Sequence, residues 1–274
     1  MQPSRRTPAV AWRSHGPMQA QRAVPEETAI AFTYDGGSYA VMMATPDDLA
    51  DFAIGFSLNE GVVHAPGEID RLEVVEQELG IELRMWLTEP RASHFGARRR
   101  RIAGPTGCGL CGLESLAEAM RPAPRVEDEA SFAPEAILRA LEALAPVQAL
   151  NRETHAVHAA AFFRPGGELV AVREDVGRHN AIDKLGGALA RAGIAGNGGF
   201  IVVTSRLSVE MLQKTAVIGA PLLVAVSAPT ALAIRTAEAA GITLAAVARG
   251  DGFEIFTHAR RIRCEEANVC EHVA

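Results

Sequence analysis

Residues 200–226 read FIVVTSRLSVEMLQKTAVIGAPLLVAV. Two short and almost wholly apolar runs, FIVVT and LLVAV, flank a segment whose apolar residues recur at helical spacing. Runs this short and this uniformly apolar suit strands buried on both faces, as in a parallel sheet, and the helix between them supplies the crossover that parallel neighbours need. The same rhythm continues outward. Strands are predicted at 156–163 and 168–173, a helix at 179–191, a strand at 199–204, a helix at 207–218 and a strand at 221–226. A helix at 229–240 follows, then strands at 242–248 and 253–258 joined around Gly250 and Gly252. With the amphipathic helix that opens at Glu135, this predicts a three-layer α/β domain with a partly parallel sheet over residues 135–262, and a tail at 263–274.

The N-terminal part has a different texture. TAIAFTYDGGSYAVMMAT, residues 28–45, is two apolar runs around Asp35, Gly36 and Gly37, the signal of a hairpin. Leu49, Phe52, Ala53 and Phe56 then fall at helical spacing behind Asp47 and Asp48, the helix ending near Gly61, and further strands are predicted at 69–75 and 79–87. A smaller α+β domain is expected over residues 24–120. Residues 1–23 mix proline, arginine and polar residues without a period and read as a flexible arm. Residues 121–134, with Pro122, Pro124, Pro134 and a charge cluster, read as a linker.

Composition excludes some classes of function. The 274 residues are 48% hydrophobic and 22% charged, enough for one large core or two modest ones. Four cysteines are too few for a disulfide scaffold, no secretory leader is recognisable, and no apolar run approaches the length of a membrane span, so a soluble protein of the reducing cytoplasm is expected. A net charge of −6 argues against a nucleic-acid binder.

The chemistry gathers in two places. GPTGCGLCG, residues 104–112, sets Cys108 and Cys111 in a glycine-rich loop behind four arginines, Arg98 to Arg101, and ahead of a helix marked by Leu113, Leu116 and Met120. A helix start and nearby guanidinium charge favour thiolate over thiol. A pair with this spacing suits a sulfur-carrying thiol, a redox dithiol, or half of a zinc site. Cys264 and Cys270 are too widely spaced to complete the zinc site in the usual pattern, so no metal is expected. The second place is the carboxyl ends of the predicted parallel strands, where α/β sheets take ligands. Arg173, Glu174, Asp175, Arg178, His179 and Asn180 crowd one strand end, Ser205 and Arg206 the next, SAPT the third, and Arg249 with Gly250, Asp251 and Gly252 the fourth. Capping and salt bridging account for part of the first group, and Ser227 ahead of Pro229 reads as a helix cap. Arg249 in a glycine turn is the better anion binder.

AVMMATPDDLADFAIGFSLNEGVV, TGCGLCG, HAAAF, REDVGRHNAIDK, SRLSVEMLQK and SAPTALAIRTAEAAGITLAAVARG occur in this order between about residues 24 and 260, and together they resemble the FdhD family of sulfur carrier proteins needed for active formate dehydrogenases. The resemblance implies a sulfurtransferase that takes sulfur from a cysteine desulfurase as a persulfide on Cys108 or Cys111. It implies delivery to the molybdenum bis(molybdopterin guanine dinucleotide) cofactor, held through Val247, Ala248, Arg249, Gly250, Asp251 and Gly252, with GDP as a partial mimic. It further implies a cytidine deaminase-like second domain, formate dehydrogenase as client, and a homodimer. Three rivals remain: a thiol-disulfide oxidoreductase, a non-enzymatic cofactor-binding chaperone, and a zinc deaminase, the last opposed by Ala160 where H-x-E would need glutamate. THAVH departs from the family's usual T-G-G-V-H at His155 and Ala156.

Overall fold

The computed structural model describes residues 1–92, 121–127, 129–249 and 252–263. Strands β1 (Ser4–Arg13) and β2 (Gly16–Pro25) form a two-stranded antiparallel hairpin, paired from Ser4 opposite Pro25 to Arg13 opposite Gly16. This corrects the expected loose arm. The hairpin's inward positions are small or polar, among them Thr7, Ala11 and Ala20, and its outward face is exposed, so the sequence carries no apolar alternation to reveal it.

Four strands, β3 (Thr28–Tyr34), β4 (Gly37–Ala44), β5 (Ile69–Gln77) and β6 (Gly80–Leu87), form a sheet in the order β4-β3-β6-β5. The β3–β4 turn is made by Asp35 and Gly36, both at positive φ (50° and 75°), the type I′ geometry that matches strand twist. Helix α1 (Leu49–Asn59) covers one face, with Phe52 and Phe56 against Phe32 at ring separations of 5.0 and 4.1 Å.

The larger unit contains α2 (Pro134–Val147), α3 (Ala149–Thr154), β7 (His158–Phe163), β8 (Leu169–Asp175) and α4 (Arg178–Arg191). It continues with β9 (Phe200–Val203), α5 (Val209–Ile218), β10 (Leu222–Ala225), α6 (Ala231–Ala240), β11 (Thr243–Arg249) and β12 (Gly252–Thr257). The sheet order is β12-β11-β10-β9-β7-β8, with β9, β10 and β11 parallel and the outer pairings antiparallel. Alternation along the strands divides the core. Phe162, Ile201, Leu223 and Leu244 pack under α4, α5 and α6, while Phe163, Val202, Val224 and Ala245 pack under α2. Helices therefore cover both faces, as the apolar strands imply. Residues 121–134 are not a free linker: Val126 donates to the Ala240 carbonyl at 2.8 Å, and the buried Phe132 bridges to Ile262.

The two units meet where α1 crosses α4 at a glycine on each helix. A Cβ on Gly55 would lie 1.7 Å from the Asp183 carbonyl oxygen, and one on Gly187 would lie 1.9 Å from that of Asp51. Only hydrogen at both positions permits backbone-to-backbone packing.

Candidate functional site

Most of REDVGRHNAIDK fastens the smaller unit to the larger. Arg173 donates to Asp51 Oδ2 on α1 through Nε (2.8 Å) and Nη2 (2.6 Å), and Arg191 donates to the other oxygen at 2.6 Å. Glu174 accepts from the Leu150 and Asn151 amides at 2.8 Å each, closing the open end of α3. Asp175 accepts from the amides of Thr45 (3.0 Å) and Gly177 (2.7 Å) and from Asn180 Nδ2 (2.8 Å). It also pairs with the fully buried Lys184 at 2.7 Å. Lys184 donates in turn to the Thr45 carbonyl (2.9 Å), and Asn180 to that of Met43 (2.9 Å). Arg173, Asp175 and Asn180 thus serve the junction and Glu174 holds α3 within the larger unit, leaving Arg178 and His179 on the rim.

The strand ends of that rim lie side by side. Val226 donates to the Val203 carbonyl at 3.0 Å, Val247 to that of Ser227 at 3.2 Å, and Leu207 bridges to Pro229. The cap of α6 is Thr230, whose hydroxyl accepts from the Ala233 amide at 3.2 Å, and not Ser227. Two features set the rim apart from an ordinary solvated edge. Among the described residues six buried side-chain polar atoms lack a hydrogen-bond partner, and four are here: Arg178 Nε, His179 Nε2, Ser208 Oγ and Glu210 Oε2. Buried polar groups are normally satisfied, so this concentration marks a place suited to an incoming hydrogen-bonding group. The second is Val247, which sits at φ 53° in the left-handed region, where a β-branched residue is an outlier, and β11 slips register against β12 between Ala246 and Arg249.

His179 is neutral on this rim. Burial first, then Lys214 and Arg178, hold its imidazole down to about 4, with Glu210 pulling the other way and His158 adding a smaller depression. Its Nε2 stands 3.9 Å from Glu210 Oε2, too far for a hydrogen bond. His158 is likewise lowered, by burial and then by Arg178. Lys214 is engaged by Asp183 at 2.6 and 2.9 Å. The sign of the linkage follows. Between about pH 6.5 and pH 4 the unfolded chain takes up a proton at residue 179 that the folded chain refuses, so stability is lost as pH falls through that window. The stability of wild type relative to His179→Gln is expected to fall by about 2 kcal/mol between about pH 7.5 and pH 5 in urea titrations, and a pH-independent difference would refute the assignment.

Of the predicted cofactor stretch, Val247 contributes strained backbone, Ala248 is buried in the core under α2, Arg249 is exposed, and Gly252 opens β12. Gly250 and Asp251 lie outside the described residues, as do Cys108, Cys111, Cys264 and Cys270. Ala160, at the deaminase glutamate position, is wholly buried among apolar side chains under α4 and offers no acid or base. Among the described residues no group of three or more His, Cys, Asp or Glu has metal-binding geometry, and no helix is long and apolar enough to cross a membrane.

A cavity of about 770 Å³ lies at the other ends of α4 and α5, lined by Leu58, His64, Pro124, Leu189, Ile194 and Val217. Beside it, Arg91 donates to the carbonyls of Gly61 (2.5 Å) and Val62, and Arg121 to that of Asn59 (2.8 Å). The chain on either side of the cysteine segment is therefore fixed to the same turn at the end of α1.

A helix–sheet–helix unit with a polar rim at its strand ends, joined through paired glycines to a small sheet domain, defines the class. Within that class the chain belongs to the FdhD/NarQ family, whose model matches residues 25–263. It is 54% identical over 259 residues to the sulfur carrier protein FdhD of Agrobacterium fabrum, covering 94% of this chain and 96% of that one. It is 52% identical over 254 residues to the protein of the same name from Brucella abortus, covering 92% and 94%. A solved structure described as a formate dehydrogenase accessory protein, from Desulfotalea psychrophila, superposes with a TM-score of 0.75 at 25% identity, covering 95% of this chain and 99% of that one.

Proposed function

We propose that this protein is a cytoplasmic sulfur carrier, working as a homodimer, that receives sulfur from a cysteine desulfurase and passes it to the molybdenum bis(molybdopterin guanine dinucleotide) cofactor of a formate dehydrogenase. The observation that carries the reading is the pair Cys108 and Cys111 in a chain matching sulfur carrier proteins over nearly its whole length. A cysteine thiolate attacks the terminal sulfur of the donor persulfide, the donor S–S bond breaks, and the donor leaves as thiolate. The second cysteine then attacks the inner sulfur of the new persulfide. Oxidation of the two cysteines to the disulfide supplies the two electrons, and the terminal sulfur leaves as hydrosulfide to the metal-bearing substrate. A cellular thiol restores the dithiol. The cytidine deaminase-like character expected of the larger unit belongs to this reading. After incubation with a desulfurase and cysteine, mass spectrometry is expected to find one added sulfur on Cys108 or Cys111 and none on Cys264 or Cys270. Equal loading of a Cys108→Ala/Cys111→Ala variant would end the proposal, whereas no loading of the unaltered chain would favour a chaperone that only shields its cargo.

The cargo's nucleotide end is assigned to Val247–Gly252. A pyrophosphate needs cationic donors and close backbone approach: Arg249 is exposed at the end of β11, and the unpartnered atoms around His179 share the same rim. Asp251 supplies a carboxylate for the N–H edge of guanine. Arg249→Ala is expected to weaken GDP binding by more than about 1.5 kcal/mol in calorimetric titration. Unchanged affinity would place the nucleotide elsewhere.

A further inference from the structure

One end of the rim is built for hydrogen-bond donors. Glu210 Oε2, His179 Nε2, Ser208 Oγ and Arg178 Nε are buried there without a partner. Ser208 is the N-cap residue of α5, yet its hydroxyl makes no cap bond. The one ion-pair contact of Glu210 among the described residues is to His179 at 3.9 Å, and that ring is neutral. Lys214, one helical turn on, is held by Asp183 instead. An uncompensated carboxylate repels phosphate and accepts from N–H groups, so this end of the rim is not a second part of a pyrophosphate cradle. Glu210 Oε2 and His179 Nε2 are too far apart to bond each other and close enough for one amino group, with its two hydrogens, to bridge them. Ser208 and Arg178 supply donors for an oxygen farther along the same ligand. An amino group, a ring N–H and a carbonyl oxygen in a row form the edge of a 2-amino-4-oxopyrimidine, which guanine and pterin share.

We propose that Glu210, His179, Ser208 and Arg178 form a subsite that reads the 2-amino-4-oxopyrimidine edge of the cargo's pterin. The amino group and ring N–H lie on Glu210 and His179, and the carbonyl oxygen faces Ser208 and Arg178. Position chooses pterin over guanine. In the order β11-β10-β9, the end of β9, which leads into Ser208, stands two strand spacings or about 10 Å from the end of β11. Guanine at Val247–Gly252 therefore leaves that interval for ribose and pyrophosphate before the second ring reaches the pocket. Bridging by the amino group needs a lone pair on His179 Nε2 and so sets the ring proton on Nδ1. The inference rests on the cargo in the reading above and adds the residues that recognise its other ring.

Fluorescence anisotropy of 6-hydroxymethylpterin titrated with the full chain at neutral pH tests it, beside 6-hydroxymethyllumazine, which carries oxygen in place of the amino group. The pterin is expected to saturate with a Kd below about 1 mM. The lumazine is expected to bind about tenfold or more weakly, because a site built around an N–H donor rejects the analogue that lacks it. Glu210→Gln is expected to bind the pterin about tenfold or more weakly and the lumazine no worse, since its amide now supplies a donor, at an unchanged urea midpoint. A variant that merely disturbs the fold weakens both ligands. Calorimetric titration with GDP separates the two sources of the edge. GDP affinity lost in Glu210→Gln puts guanine in this pocket and overturns the pterin assignment. Pterin and lumazine bound equally, or neither bound, leaves the pocket to an ordered water and overturns the inference. Selective pterin binding by a chain that does not bind GDP supports the pocket and strikes only the nucleotide placement.

Discussion

Asp175→Ala is expected to lower the free energy of unfolding by about 3–5 kcal/mol, read from urea denaturation at neutral pH. Lys184 is fully buried, and with Asp175 gone its ammonium keeps only the Thr45 carbonyl and the face of the Phe52 ring, 5.6 Å from the centroid. The amides of Thr45 and Gly177 and the Asn180 side chain lose their common acceptor in the same step. Most of the cost therefore comes from stranding a charge. Asp175→Asn/Lys184→Met, which removes both charges and keeps the volume, is expected to recover most of the loss. A double variant as unstable as Asp175→Ala would show that the pair is not the cause.

Gly187→Ala is expected to cost about 3 kcal/mol, the upper end for overpacking, because the new methyl meets backbone and not a side chain able to rotate away. It would lie 1.9 Å from the Asp51 carbonyl oxygen and 2.8 Å from the Gly55 amide nitrogen, so α1 and α4 must separate. Separation also stretches the ion pairs from Asp51 to Arg173 and Arg191, coupling the two features. A loss of a few tenths of a kcal/mol would mean that the helices part easily. Gly67→Ala, with no positive φ and nothing within 4 Å of its Cβ, is the control for adding a methyl to a glycine without a clash.

What could be read in advance follows from the range of the interactions. The β9–α5–β10 unit is legible because burial on both faces leaves FIVV and LLVA apolar throughout, and the Asp35–Gly36 turn because its backbone demands those residues. The role of REDVGRHNAIDK is not legible. Its density of hydrogen-bonding groups suggests a ligand, whereas Asp51, Thr45 and Met43, which receive or supply most of those bonds, lie 122 to 139 residues away. Spacing within a motif carries no information about partners at that distance. Val247 gives no warning of its left-handed backbone, since valine is among the residues least suited to it. The hairpin β1–β2 escapes for the opposite reason, its inward positions being too small or polar to write a period. The rim of strand ends is legible from the α/β rhythm, and its unpartnered atoms emerge only in three dimensions.

The two arginine clamps at the end of α1 have a kinetic consequence. Cys108 stands 13 residues before Arg121, and an extended chain covers at most about 3.6 Å per residue, so its thiol is leashed within about 47 Å of Arg121. The rim lies inside that radius, since α4, which runs from the rim to the cavity, is about 21 Å long. One sulfur atom confined to such a sphere has an effective concentration on the order of millimolar. On the proposed reading, an acceptor seated on the rim would meet a persulfide on this leash at that concentration, whatever the level of dissolved sulfide in the surrounding solution.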